Sequence, residues 1–345
     1  MTGPSTTTAG TDHRPTASAT PTASTPLRPT SRDRTRRQTL TSDPGGWTTD
    51  GIDIDRPNAA RMYDYYLGGS HKFAADRHAA KAVIAAAPKI IEAARANRDF
   101  LRRAVRYALG EGVRQFLDLG SGLPTHGNVH DLVHATDPEA PVVSVDVDPV
   151  AVAHARHILH ANPAAGVVHA DIRTIAAILD HPTTRRLIDF TRPVCALLVC
   201  VLHFVPGDLT GPMATLRARL SPGSLLVISH GTDPGPCYAA QSDTVRQIYT
   251  RTATPICHRT PAEIAALFTG LDLVCPRADP ATGAPPGLVA VNQWRPDDTD
   301  SAPGDDEPVA PLAGFLAAAA RKPAPPATTA TSQPTHQDRY GSHPR

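Results

Sequence analysis

The sequence has little that would commit it to a membrane, a metal or a nucleic acid. Nowhere do eighteen consecutive residues stay apolar and free of charge, so no membrane-spanning helix is expected. The first 25 residues are a Thr/Ser/Pro/Ala tract without the apolar run of a secretory signal, and a cytoplasmic location is expected. Cys195, Cys200, Cys237, Cys257 and Cys275 are odd in number and form no CxxC pair, which speaks against a disulfide framework or a zinc ribbon. Lys and Arg total 34 against 33 Asp and Glu, a formal charge of +1, and this balance gives no global attraction to nucleic acid or anionic lipid. His126, His130 and His134 are spaced to share a helical face, as are His154, His157 and His160, yet neither series has a Cys, Asp or Glu at ligand spacing. No metal site is expected. A Gly-x-Ser-x-Gly elbow and a Walker lysine are also missing, which removes the α/β-hydrolase and nucleotide triphosphatase readings.

What is present divides the chain into four parts. Residues 1–48 are rich in Thr, Ser, Pro and Arg, with a basic cluster at Arg28, Arg32, Arg34, Arg36 and Arg37, and read as a disordered tail. Residues 297–345 read as a second tail, mostly disordered, with one short apolar helix at 311–321. Between them, 49–112 is a helical front, with helices starting at Pro57 and spanning 74–87 and 89–109. From 113 to 296, short apolar runs at 115–119, 142–145, 166–169, 194–201, 224–229, 271–275 and 288–293 make seven strands, the first five alternating with helices. This is the pattern of an α/β fold on a mostly parallel sheet. A Pro/Gly-rich link between the last two runs predicts that they form an antiparallel hairpin.

The first of these strands runs into Gly120-Ser121-Gly122-Leu123-Pro124-Thr125, at the sheet edge where open α/β sheets bind ligands. Glycine permits a tight turn and close backbone approach, but one GxG is a weak signal. Two acids strengthen it. Asp118 sits in an otherwise apolar strand, where a carboxylate needs a charged or hydrogen-bonding partner, such as a ligand ammonium. Asp146, with Val147 beside it, ends the second strand 26 residues after Gly120, and its two oxygens suit the two hydroxyls of a ribose. A dinucleotide site needs a third glycine where Thr125 stands, so S-adenosylmethionine (SAM) fits better than a nicotinamide dinucleotide. Asp171 ends the third strand, either to meet an adenine amino group while Ile172 packs on the ring, or simply to cap a loop. His203 follows the fourth strand, as a contact to the cofactor, a base toward the substrate, or a structural histidine.

These residues and several segments together resemble the class I SAM-dependent methyltransferases, and one uncharacterised bacterial family among them. The segments are 57–69, which includes Tyr63-Asp64-Tyr65-Tyr66-Leu67-Gly68-Gly69, then 73–77, 94–101, 116–128 and 202–206. The resemblance implies a seven-stranded Rossmann-like sheet with the last strand antiparallel and SAM bound through Asp118, Gly120, Asp146 and Asp171. It also implies a helical front that covers the cofactor. Tyr66 departs from the aliphatic residue expected there. From the residues themselves, Gly122 and Thr125 join the cofactor set, and Arg61, Tyr63, Tyr65, Tyr66, Gly68, Gly69 and His71 are candidates for a lid or substrate wall, with Gly68-Gly69 as hinge. His203 and Tyr63 are the candidate catalytic groups. The expected function is methyl transfer by in-line displacement to an unidentified acceptor, a small molecule in preference to nucleic acid. The alternatives are a SAM-binding regulator that transfers nothing and an NAD-dependent oxidoreductase.

Overall fold

The computed structural model describes residues 53–124, 127–233, 235–274, 287–294 and 314–325. The tail 1–48, its arginine cluster, Thr125 and most of 297–345 lie outside the described residues.

Short, strongly apolar strands form the centre. β1 (Phe116–Leu119), β2 (Val142–Asp146), β3 (Ala165–His169), β4 (Cys195–Val199) and β5 (Leu225–Gly231) are all parallel, in the order β3-β2-β1-β4-β5. Their successive side chains point to opposite faces. On one face Leu117, Val143, Ala196, Leu198 and Ile228 pack in a core with Ile178 of α6 (Ile175–Asp180) and Met213 and Leu216 of α8 (Thr210–Arg219). On the other, Phe116, Val142, Leu197 and Val227 pack with Phe100, Leu101, Ala104 and Val105 of α3 (Ile90–Gly110) and with Val129 and Val133 of α4 (Val129–His134). Covering both faces with helices is what a parallel sheet requires. α5 (Pro149–Leu159) starts at Pro149 with the Asp148 carboxylate accepting from the Val150 N–H, and lies along β2 and β3.

Three expectations change. Residues expected as a helix at 311–321 form β8 (Phe315–Arg321), which is antiparallel to β5 over its whole length. Leu316, Ala318 and Ala320 face one core, Ala317 and Ala319 the other. The expected final hairpin is absent among the described residues. β6 (Asp272–Leu273) and β7 (Val289–Ala290) do not pair with each other but lie along successive parts of β8, opposite Arg321 to Ala320 and Ala317 to Leu316. They share one strand position, so the sheet keeps seven positions with its last strand antiparallel. Finally, α3 is buried against the sheet instead of belonging to a separate front.

The remaining front is α1 (Ala59–Tyr66) and α2 (Ala74–Ala86). Asn58 caps α1, its side chain accepting from the Ala60 N–H at 2.8 Å, so the helix begins after Pro57. Met62, Tyr66, Ala80 and Val83 form a small core with Ala94 and with Tyr249 of α9 (Ala239–Tyr249). Three bonds tie α1 and the preceding Pro57 to α9 and the residues that follow it: Ala253 N–H to Pro57 O at 2.9 Å, Ala59 N–H to Thr254 Oγ1 at 2.9 Å, and Tyr66 Oη to Tyr249 Oη at 3.2 Å. α7 (Pro182–Leu187) and α10 (Pro261–Ala266) complete the described helices.

Candidate active site

The carboxyl ends of β1 to β4 open into a cavity of about 350 Å³, roofed by Asn58, Ala59, Ala60 and Tyr63 of the front and by Ala253, Thr254 and Pro255. Asp118, Gly120, Ser121, Gly122, Asp146, Val147, Asp171 and Ile172 all line it, so sequence positions spread over 54 residues meet at one edge.

The glycine turn is fixed by backbone geometry. Gly120 has φ +81°, and a Cβ there would fall 2.3 Å from Val201 Cγ2, so no side chain is tolerated. Gly120 and Ser121 both donate to Val145 O, at 2.8 and 3.0 Å, which locks the turn to β2. Gly122 N–H donates to Asp146 Oδ2 at 2.7 Å, while Asp148 N–H donates to Oδ1 at 2.8 Å. Asp146 is therefore held rigidly, and the N–H of Val147 also favours its charged form. Burial pushes its pKa up to about 6, opposed by those backbone bonds. Asp118 is only 8% exposed. Burial pushes it up to about 7; the guanidinium of Arg98 works against this and the charge of Asp146 adds to it.

Val147 is 50% exposed although it lines the cavity, an apolar surface next to the acid, and Ile172 is buried nearby. Of the two roles left open for Asp171, the structure shows the cap: its Oδ1 accepts from Arg173 N–H at 2.8 Å and its Oδ2 from Arg173 Nε at 2.9 Å. Those bonds hold its pKa below the ordinary range.

His203 does not line the cavity. It is 3% exposed, and its Nδ1 accepts the Gly231 N–H at 3.1 Å, so the ring proton sits on Nε2, facing Cys200 Sγ at 3.8 Å. Burial, with His230, His258 and Arg259 nearby, depresses its pKa well below the usual value. The histidine is structural, which corrects its assignment as base or cofactor contact. Tyr63 does line the cavity, but its hydroxyl donates to Ala94 O at 3.0 Å and accepts from Asn97 Nδ2 at 2.9 Å. Burial raises its pKa far above the ordinary phenol, which keeps the hydroxyl protonated.

The rest of the expected lid is structural. Arg61 is buried, bonded to Asp76 at 3.1 Å and to Arg56 O at 2.8 Å, with its guanidinium over the Phe73 ring. Tyr66 is held by Tyr249, and the Tyr65 ring lies under Lys72 Nζ. Gly69 is no hinge: a Cβ there would fall 1.9 Å from Asp64 Oδ1, so the glycine admits the Asp64 carboxylate that accepts from His71 N–H at 3.0 Å. Gly68, Gly69 and His71 border a separate concavity beside Arg95, Arg98 and Arg102. Asn58, Asn97, Arg98, Cys200 and Thr254 also line the main cavity and were not read from the sequence. Cys200, with φ +59°, was the most findable, as the residue that directly follows β4.

A parallel sheet with one antiparallel last strand, a glycine turn after β1 and an acid at the end of β2 defines a class I SAM-dependent methyltransferase. The chain belongs to the S-adenosyl methyltransferase family, whose model matches residues 45–323. It is 34% identical to a DUF574 family protein from Streptomyces avermitilis MA-4680, over 79% of this chain and 100% of that one, with a TM-score of 0.66. A candidate methyltransferase from Thermobifida fusca YX is 36% identical, over 81% of this chain and 99% of that one, with a TM-score of 0.68. No curated protein matches the chain. The cofactor is SAM and the reaction is methyl transfer. Among the described residues no helix is long and apolar enough to cross a membrane, and no group of three metal-ligating side chains occurs.

Proposed function

We propose that the cavity binds SAM through Asp118, the Gly120 to Gly122 turn, Asp146, Val147 and Ile172, and that the methyl acceptor is a small molecule. The observation that carries this is the Asp146 carboxylate, locked by Gly122 and Asp148 at the cavity wall beside the exposed apolar surface of Val147. Two ribose hydroxyls and an adenine face are the partners that chemistry demands there. Asp118 is a buried carboxylate whose charge Arg98 offsets only in part, and a ligand ammonium would favour its charged form further.

When bound, the cofactor supplies a methyl group activated on a sulfonium. The protein's part is to hold and orient. α1 and residues 253–255 cover the cavity and exclude water, while the carboxylates at the ends of β1 and β2 fix the donor. Alignment of this kind is worth effective molarities of about 10⁵ to 10⁸ M, which lowers the demand for acid or base help. At about 350 Å³ the cavity lies near the lower end of the roughly 300 to 1,000 Å³ usual for small-molecule sites, which supports a small acceptor. A thermal-shift series with SAM, S-adenosylhomocysteine and NADH tests the reading. SAM and S-adenosylhomocysteine are expected to raise the melting temperature and NADH to leave it unchanged; stabilisation by NADH alone would reverse the assignment.

A further inference from the structure

We infer that the acceptor is a small, uncharged aromatic heterocycle that attacks through a ring nitrogen. This rests on the proposed cofactor placement and deepens it. Asp118, Asp146 and Asp171 stand at the ends of β1, β2 and β3, so the donor occupies that half of the cavity. The other half lies over the end of β4 and beneath α1, with Tyr63, Asn97, Cys200, Phe204, Pro206 and Pro255 as its wall.

The polar groups of this wall are committed to one another. Tyr63 donates to Ala94 O and accepts from Asn97 Nδ2; Asn97 Oδ1 accepts from Ser229 Oγ at 2.5 Å; Ser229 Oγ accepts the Cys200 N–H at 2.9 Å. Cys200 Sγ receives the Nε2–H of His203, and burial pushes its thiol up to about 12. Asp64 also borders the cavity, but one of its oxygens accepts from His71 N–H and the other is sealed from solvent against Gly69. Among the described residues, none on this side is placed to remove a proton from the acceptor.

That restricts the nucleophile. An aliphatic alcohol, an alkylammonium or a thiol must lose a proton before it attacks. A carboxylate or phosphate need not, but the cavity lining as a whole carries Asp64, Asp118, Asp146 and Asp171 against Arg98 and Arg173, and that excess of acids opposes an anion. A neutral ring nitrogen carries its lone pair at neutral pH. The lone pair forms the new C–N bond as the C–S bond breaks with its electrons staying on sulfur. Positive charge passes to the ring, which the excess of acids in the cavity lining favours, and any ring N–H proton leaves to water once the product is released. A flat ring also suits a lining that includes the aromatic side chains of Tyr63 and Phe204.

The test titrates the protein loaded with S-adenosylhomocysteine by calorimetry, using benzimidazole, benzyl alcohol and benzoate as probes. Benzimidazole is expected to bind at least about tenfold more tightly than either oxygen compound. Phe204→Ala should weaken benzimidazole by about tenfold and spare S-adenosylhomocysteine. With methyl-labelled SAM the label should appear on nitrogen, read by NMR. Equal or tighter binding of benzoate or benzyl alcohol, label on oxygen, or no benzimidazole binding to the loaded protein would overturn the inference. Failure of the wild-type protein to bind S-adenosylhomocysteine at all would instead remove the cofactor reading, and this inference with it.

Discussion

Asp118 and Asp146 are costly residues to bury, and their cost has a measurable pH signature. Both carboxyl groups titrate above the ordinary range, near 7 and near 6, because burial disfavours the ionised form. In the cofactor-free protein the native state therefore holds protons that the unfolded chain has released. The stability these groups contribute is fully present below about pH 4 and is lost as pH rises toward about 7. A ligand ammonium reverses the preference at Asp118, since it favours the carboxylate. SAM affinity measured by calorimetry should accordingly rise between about pH 5 and about pH 7 and then level off, and Asp118→Asn should bind more weakly with most of that rise gone. A variant that keeps the full rise would show that Asp118 does not meet the ammonium. Gly120→Ala is a second test at this scale. The positive φ and the 2.3 Å approach to Val201 predict a loss of roughly 1 to 3 kcal/mol in denaturant unfolding, together with weaker SAM binding. Wild-type stability in that variant would contradict the turn geometry. The place of some residues in the cavity was legible because it depends on local pattern: an acid at a strand end, a glycine turn after it. His203 was not, because its role is set by the N–H of Gly231, 28 residues away in sequence and on another strand.

At the scale of elements, β8 shows where local propensity loses to tertiary context. Leu-Ala-Ala-Ala-Ala is a good helical sequence. Yet the segment sits between β5 on one side and β6 and β7 on the other, with both faces buried, and alanine lets α3 approach the sheet closely. Nothing in the seven residues themselves announces seven backbone pairings with a strand about 90 residues earlier. The same distance explains the mistaken hairpin: β6 and β7 find their partner in β8, beyond the loop that joins them. A truncation that removes residues 314–345 tests the point. It should expose the edge of β5 and yield insoluble or unfolded protein, whereas a peripheral docking helix could be deleted with a cooperative thermal transition intact. The front helices were legible from Pro57 and the glycines that end α1, although the cap falls one residue later, on Asn58. Their function as a fixed roof, tied to residues 253 and 254 and not hinged at Gly68-Gly69, depends on bonds that sequence spacing does not reveal.

For the molecule as a whole, one sheet edge gathers the chemistry. Five parallel strands point their carboxyl ends the same way, so acids far apart in sequence converge beneath a single roof, and the family match over residues 45–323 spans the described fold. That convergence was readable from the alternation of strands and helices, and the cofactor from the acids and the missing third glycine. The acceptor half of the cavity was not, because Asn97, Cys200 and Thr254 come from three elements without a shared motif. The measurement that bears most directly on the central claim is SAM titration calorimetry on wild-type protein and Asp146→Ala. The wild type should bind, and the variant, which loses charge-assisted bonds to the ribose, should bind about tenfold or more weakly. Equal affinity in the two proteins would contradict the placement of SAM at this edge.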